Sequence, residues 1–231
     1  MSAPSLPRPS VKKSPPPADS TAPELKGDKN SPSVSRLKKQ RLILAEAERQ
    51  FARFGFEGAS LETIAATMGV SRQNMLYYYS NKQDLYAAVL DDVLASWLAH
   101  MEDMARSIDP ATAVSRYVRA KLRFSKERPF GSAVFTREVM SGAPLFGDKL
   151  IQQVLPKLRA DVRSFERWAK QGKIARVDFT HLMFVIWAST QAYADLSTQF
   201  AFFLNKPALE DSDYETASDL ITHMVLKSLT A

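Results

Sequence analysis

The chain of 231 residues contains no cysteine. Disulfides and thiolate metal sites are therefore excluded, and the absence fits a reducing cytoplasm. Histidine is scarce too: His100, His181 and His223 stand far apart, and none has a helical partner at metal-ligand spacing. No window approaches eighteen uninterrupted apolar residues, so a membrane-spanning helix is not expected. The polar, proline-rich start lacks the apolar core of a secretion signal. There is no phosphate-cradling glycine loop and no nucleophile–base constellation. No enzyme chemistry, metal or cofactor is expected from such a chain. Alternating apolar and polar residues, the mark of a half-buried strand, are missing as well, and no internal repeat stands out. An all-α fold follows.

What is present is basic charge, unevenly placed. Residues 1–82 hold 13 Lys+Arg against 7 Asp+Glu, while residues 83–231 hold 18 of each. The whole excess of +6 sits in the first third. A neutral body with a basic front suggests that the front alone meets a polyanion, although a basic tail gives the same imbalance. Residues 1–34 read as a disordered tail rich in proline, serine and lysine. Pro15, Pro16 and Pro17 favour extended geometry there, and the lysines could add weak, salt-sensitive contact with DNA.

Helical signals begin at Ser35. Leu44, Ala47, Phe51 and Phe54 recur at spacings of three and four, opposite Arg41, Glu48, Arg49 and Arg53, until Gly55 and Gly58. Ser60 is a natural cap for a second helix that buries Leu61, Ile64, Ala65 and Met68. Gly69 permits a sharp turn, Val70 fills the angle, and Ser71 caps a third helix from Arg72. Ser80 and Asn81 precede a fourth helix expected over 82–105. Asp109-Pro110 is a start signal, and further helices are expected over 110–127, 130–141 and 145–171, the last broken or kinked at Pro156. One long apolar helix is expected over 178–204 and a final one over 213–229. This gives a helix-turn-helix domain at 35–82 and a helical ligand-binding and dimerisation domain at 83–231.

A short helix, a glycine turn and a second short helix would set the latter into the major groove of duplex DNA. Viewed at about 100° per residue, Met75 and Tyr79 point inward while Gln73 and Tyr77 point away. Arg72, Gln73 and Asn74 occupy the turn that reaches base edges: arginine suits guanine, glutamine or asparagine suits adenine. Ser60, Tyr77, Tyr78 and Lys82 are candidates for phosphate contacts that fix register without reading sequence. The plainer alternative makes the tyrosines core and Lys82 a solvated charge.

The stretches Phe54-Gly55-Phe56-Glu57-Gly58-Ala59-Ser60-Leu61-Glu62-Thr63-Ile64-Ala65, Met68-Gly69-Val70-Ser71 and Leu76-Tyr77-Tyr78-Tyr79-Ser80-Asn81-Lys82-Gln83-Asp84-Leu85 resemble the TetR family of repressors. The sequence departs from the usual pattern at Leu76, where tyrosine is frequent, and at Tyr79, where phenylalanine is. The resemblance implies a homodimer on a palindromic operator, with the last two helices forming the dimer seam. The small residues Ala188, Ser189, Ala192 and Ala194 are compatible with close helix approach there.

Three further stretches resemble the Rut-type, pyrimidine-utilisation branch of that family. They are Leu85 to Leu90 with Trp97-Leu98, Ser141 to Leu145, and Ile186 to Asp195. That resemblance implies a uracil- or thymine-like effector. A pyrimidine needs a flat apolar slot and a donor–acceptor pair. Trp97, Trp187 and Gln191 are the candidates, with Glu138 as a further polar contact. Tryptophans as plain core, Gln191 within a dimer seam, and a ligand-independent architectural DNA binder are the competing readings. A cytoplasmic, nucleoid-associated location is expected.

Overall fold

The computed structural model describes residues 34–99, 104, 107 and 109–230. Of the expected tail only Val34 falls among them, and it already belongs to the first helix. The described residues form helices and no strand, as the missing alternation predicts.

Helix α1 (Val34–Gly58) buries Ile43, Ala47, Gln50 and Phe51. The expected stripe holds at Ala47 and Phe51 but is rotated: Ile43 is inside, while Phe54 is 57% exposed. Gly55 leaves helical geometry with φ 72°, which turns the end of α1. A side chain at Gly55 would also meet the Arg137 guanidinium, since a Cβ there would lie 2.6 Å from its Nη1. Glu48 is not on an open polar face either; it is half-buried and pairs with Arg128. Helices α2 (Leu61–Thr67) and α3 (Arg72–Tyr78) follow, capped by the Ser60 and Ser71 hydroxyls as expected. Gly69 supplies the turn between them at φ 64°.

Helix α4 (Lys82–Ala99) starts with Asn81 accepting from the Asp84 amide at 2.8 Å. It buries Leu85, Tyr86, Val89, Leu90, Val93, Leu94 and Trp97, so it serves the front and the body together. The continuation expected to residue 105 lies largely outside the described residues. Helix α5 (Pro110–Glu127) is capped by Asp109 and forms the centre of the body, with α9 (Phe179–Asp195) and α11 (Asp211–Ser228) packed on it. Helix α6 (Pro129–Met140) packs against α1, α4 and α9.

Two expected helices are divided. The segment over 145–171 becomes a single turn α7 (Gly147–Lys149), a π-helical turn (Leu150–Val154) and α8 (Leu155–Lys170). Pro156 has no amide hydrogen to continue the ordinary ladder. The preceding turn widens so that the Leu155 amide reaches Leu150 O. The helix expected over 178–204 breaks at Leu196 (φ −113°, ψ 16°), giving α9 and a short α10 (Ser197–Phe203). The final helix begins two residues earlier than expected, through a reciprocal cap between Glu210 and Asp213.

One buried acid stands out in this core. Asp161 on α8 is buried, and its Oδ2 has no hydrogen-bond partner among the described residues. Burial raises its pKa to about 7, and Lys157 counters only part of that. A raised carboxyl pKa favours the protonated native state. Its contribution is complete below about pH 4, the unfolded value, and is lost as pH rises through about 7. Asp161→Asn is therefore expected to gain stability over wild type at pH 8 by roughly 1–3 kcal/mol, and much less at pH 5. Urea unfolding at the two pH values checks this; an equal difference at both contradicts it.

Candidate nucleic-acid interface and cavity

The second short helix shows the inside and outside that its sequence predicts. Met75 and Tyr79 are buried, whereas Arg72, Gln73 and Asn74 are exposed and Tyr77 is 66% exposed. Tyr78 is half-buried and meets Tyr77 edge to face at 5.2 Å between centroids. Leu76, the departure from the usual tyrosine, is also exposed. The helix N-terminus, with Ser71 as its cap, carries the polar first turn to the surface.

Three of the candidate side chains have partners inside the protein. Arg72 Nε donates to Glu62 Oε1 at 2.5 Å, across the turn between α2 and α3. Both partners are 60% exposed, so the pair is open to exchange for an acceptor on DNA. Lys82 donates to the carbonyl oxygens of Phe56 at 2.8 Å and Glu57 at 3.4 Å, with its ammonium over the Phe56 ring. It thus fastens the end of α1 to the start of α4, where negative carbonyl ends attract a cation. Ser60 Oγ accepts from the Thr63 amide at 3.1 Å, so its first task is capping. Sequence reasoning missed Arg36, which lies at the exposed start of α1 over the Tyr77 ring, 5.1 Å from its centroid. Arg36, Lys38 and Arg41 extend the basic surface along α1.

The body holds a cavity of about 420 Å³ between α4, α5, α6, the π-helical turn, α8 and α9. Trp97, Trp187 and Gln191 all line it, as the sequence predicts. Trp97 meets Trp187 edge to face at 5.2 Å and lies nearly parallel to Phe135 at 6.0 Å. The Trp187 indole N–H donates to the Tyr117 hydroxyl at 2.7 Å, which fixes the ring. The two N–H groups of Gln191 Nε2 are shared among Ser132 Oγ, Thr136 Oγ1 at 3.1 Å and Asp195 Oδ1 at 3.2 Å. Thr136 in turn donates to Asp195 Oδ2 at 2.9 Å. This network commits the amide nitrogen to side chains of α6 and α9.

Glu138 does not join this cavity. It is buried on the other side of α6, where its carboxylate accepts from Tyr86 Oη at 3.2 Å and from the Leu145 amide at 2.8 Å. Residue spacing explains the difference. Phe135, Thr136 and Val139 line the cavity, and Glu138 falls on the adjacent face toward α4. Besides Gln191, Thr136 and Asp195, a further polar residue lines the cavity, Lys121 on α5, which sequence reasoning missed. Only 3% exposed, it holds its ammonium 3.7 Å from the Trp97 ring centroid, with no hydrogen-bond partner among the described residues. Burial drives its pKa well below the ordinary lysine range. Its only sequence signal was a lysine on the apolar side of α5, between Val118 and Leu122.

Helix α6 touches both places. Gly131 lets its backbone close on α1 and α4: a Cβ there would lie 2.9 Å from Val93 and 3.0 Å from Glu48. Arg128, at its start, pairs with Glu48 of α1 and, at 2.9 Å, with Asp92 of α4. Arg137 donates to Ala52 O at 3.3 Å.

Comparison with known proteins agrees with this geometry. Residues 43–89 match the family of bacterial regulatory proteins, tetR family. Residues 90–231 match the YcdC-like protein, C-terminal region. The HTH-type transcriptional regulator RutR of Escherichia coli (strain K12) is 42% identical over 171 residues, covering 74% of this chain and 80% of that one. The uncharacterized HTH-type transcriptional regulator YhgD of Bacillus subtilis (strain 168) is 24% identical over 205 residues, covering 84% and 98%. Among solved structures, the ketosteroid transcriptional regulator KstR2 of Mycobacterium tuberculosis shares the fold at a TM-score of 0.70. That likeness covers 84% of this chain and 95% of the other at 13% identity. With its capped reading helix, all-helical body and these relatives, the chain belongs to the TetR family of helix-turn-helix transcriptional regulators and is not an enzyme.

Proposed function

We propose that the protein is a homodimeric repressor of pyrimidine-catabolism genes, released from a palindromic operator when uracil or thymine enters the cavity. The observation that carries this reading is the cavity itself. Flat aromatic walls from Trp97, Trp187 and Phe135 meet a short polar edge at Gln191, Thr136 and Asp195. A planar heterocycle with its own donors and acceptors fits that division. The resemblance of residues 85–90, 97–98, 141–145 and 186–195 to the Rut-type branch supports the same effector.

On the DNA side, Gln73 and Asn74 read base edges from the first turn of α3, and Arg72 exchanges Glu62 for guanine or phosphate. Tyr77, Tyr78 and Ser60 hold the sugar–phosphate backbone, together with the Lys82 N–H that the Phe56 and Glu57 carbonyls do not take. A second copy covers the apolar surface left on α9 to α11. Phe184, Val185, Leu220 and Met224 are exposed there, as are Phe202 and Phe203. Two-fold pairing on that face sets two reading helices about one turn of DNA apart, which makes the operator a palindrome. Induction runs through α4 and α6, since each lines the cavity and grips the front of the molecule.

Two outcomes follow. Gln73→Ala is expected to weaken binding to the chain's own operator by roughly tenfold or more while leaving random-sequence DNA binding unchanged. Mobility shifts with and without competitor DNA measure this; equal affinity for the operator before and after substitution contradicts the reading. Calorimetry is expected to show uracil or thymine binding with a Kd on the order of micromolar. No heat with either at millimolar concentration contradicts the pyrimidine effector.

A further inference from the structure

The cavity contains a buried lysine with nothing to bind among the described residues. Lys121 is 3% exposed, its Nζ has no hydrogen-bond partner among them, and it lies over the Trp97 ring at 3.7 Å. Leaving a buried donor unsatisfied is costly, and leaving a buried ammonium so is costlier. The aromatic face offsets part of that cost but cannot accept an N–H as an oxygen does. Asp195 does not relieve it, because its carboxylate is taken up by Gln191, Thr136 and Ser132. The surrounding wall is apolar: Phe135, Val154, Leu155 and Leu158 line the same space. A lysine in such a place is explained by a partner that arrives from outside.

We propose that Lys121 is the specificity-determining residue of the cavity, donating to an exocyclic carbonyl oxygen of the effector while the Gln191 carbonyl accepts from a ring N–H. This rests on the pyrimidine reading above and deepens it. The ligand class becomes a planar ring carrying an oxo group and a ring N–H, a lactam or cyclic imide, lying against the tryptophans. The donor and the acceptor come from different helices, α5 and α9, so the ring bridges them. A ring without the oxo group that Lys121 reads leaves the ammonium unpaired and is rejected, whereas a change elsewhere on the ring is tolerated. Discrimination built on an unpaired buried donor is steeper than that built on an apolar wall.

The test uses the full-length protein and three related rings: uracil, pyrimidin-2-one and pyrimidin-4-one, the last two each lacking one exocyclic oxygen. By calorimetry, wild type is expected to bind one of the single-oxo rings at least roughly tenfold more weakly than uracil. Lys121→Met keeps the length and removes the donor. It is expected to bind uracil as weakly as wild type binds that poorer ring and to lose the distinction between the two. Lys121→Gln restores an N–H and is expected to recover part of the uracil affinity. Far-UV circular dichroism confirms that both variants stay helical; Met at this buried position removes a desolvated charge, so folding is not expected to suffer. If Lys121→Met binds uracil as wild type does and still prefers it, the assignment of Lys121 is overturned while the pyrimidine reading stands. If wild type binds none of the three rings, both are overturned.

Discussion

Arg128 ties together three parts of the molecule, α1, α4 and the junction of α5 with α6. Its guanidinium pairs with Glu48 on α1 and with Asp92 on α4, from the junction where α5 ends and α6 begins. Arg128 and Glu48 are well shielded, at 24% and 12% side-chain exposure, so removing one partner leaves a poorly solvated charge behind. Three residues further on, Gly131 allows α6 to press directly against Val93 and Glu48. A packed contact of this kind has few intermediate positions. On the proposed reading, a shift of α6 at the cavity end is passed to α1 and α4; α1 packs on α2, and α2 holds the reading helix.

The cavity end of α6 supplies Phe135, Thr136 and Val139, and the opposite face supplies Glu138 to Tyr86. One helix thus carries a ligand-facing side and a side that grips α4. Trp97 adds a second route, because it belongs to α4 itself and stacks beside Phe135. A ligand changes the balance between two states only by what it gains in one and not in the other. Satisfying Lys121 and the Gln191 carbonyl together, across α5 and α9, is a gain available only when those helices and α6 stand at the right separation. Coupling free energies of about 1–3 kcal/mol are typical of such arrangements and are within reach of two hydrogen bonds of this type.

Much of this was legible in the sequence, for identifiable reasons. Short-range capping chemistry fixed α2, α3 and α5: Ser60, Ser71 and Asp109 act just as their types predict. Periodicity found the inward Met75 and Tyr79 and the outward Gln73 and Tyr77. Trp97, Trp187 and Gln191, singled out from stretches that resemble the Rut-type branch, line one cavity. What escaped depends on distant partners. Phe54 was placed in the core because Gly55 was read as a plain stop and not as a bend that turns the chain. Glu48 looked like surface until Arg128, 80 residues away, appeared beside it. Glu138 and Lys121 exchanged significance for the same reason. A helical wheel shows which face a residue takes, but not which neighbour waits opposite. The division of α9 from α10 at Leu196 had no sequence cue such as glycine or proline.

On the proposed reading, one cavity and one DNA surface share a single conformational balance. Thermodynamic linkage then requires reciprocity: whatever factor uracil removes from operator affinity, the operator must remove from uracil affinity. The direct measurement is calorimetric titration of uracil into the free protein and into the protein saturated with its operator. A weaker uracil affinity is expected in the complex, by the same factor, on the order of 5- to 150-fold, by which saturating uracil weakens operator binding. Equal uracil affinity in the two titrations would contradict it.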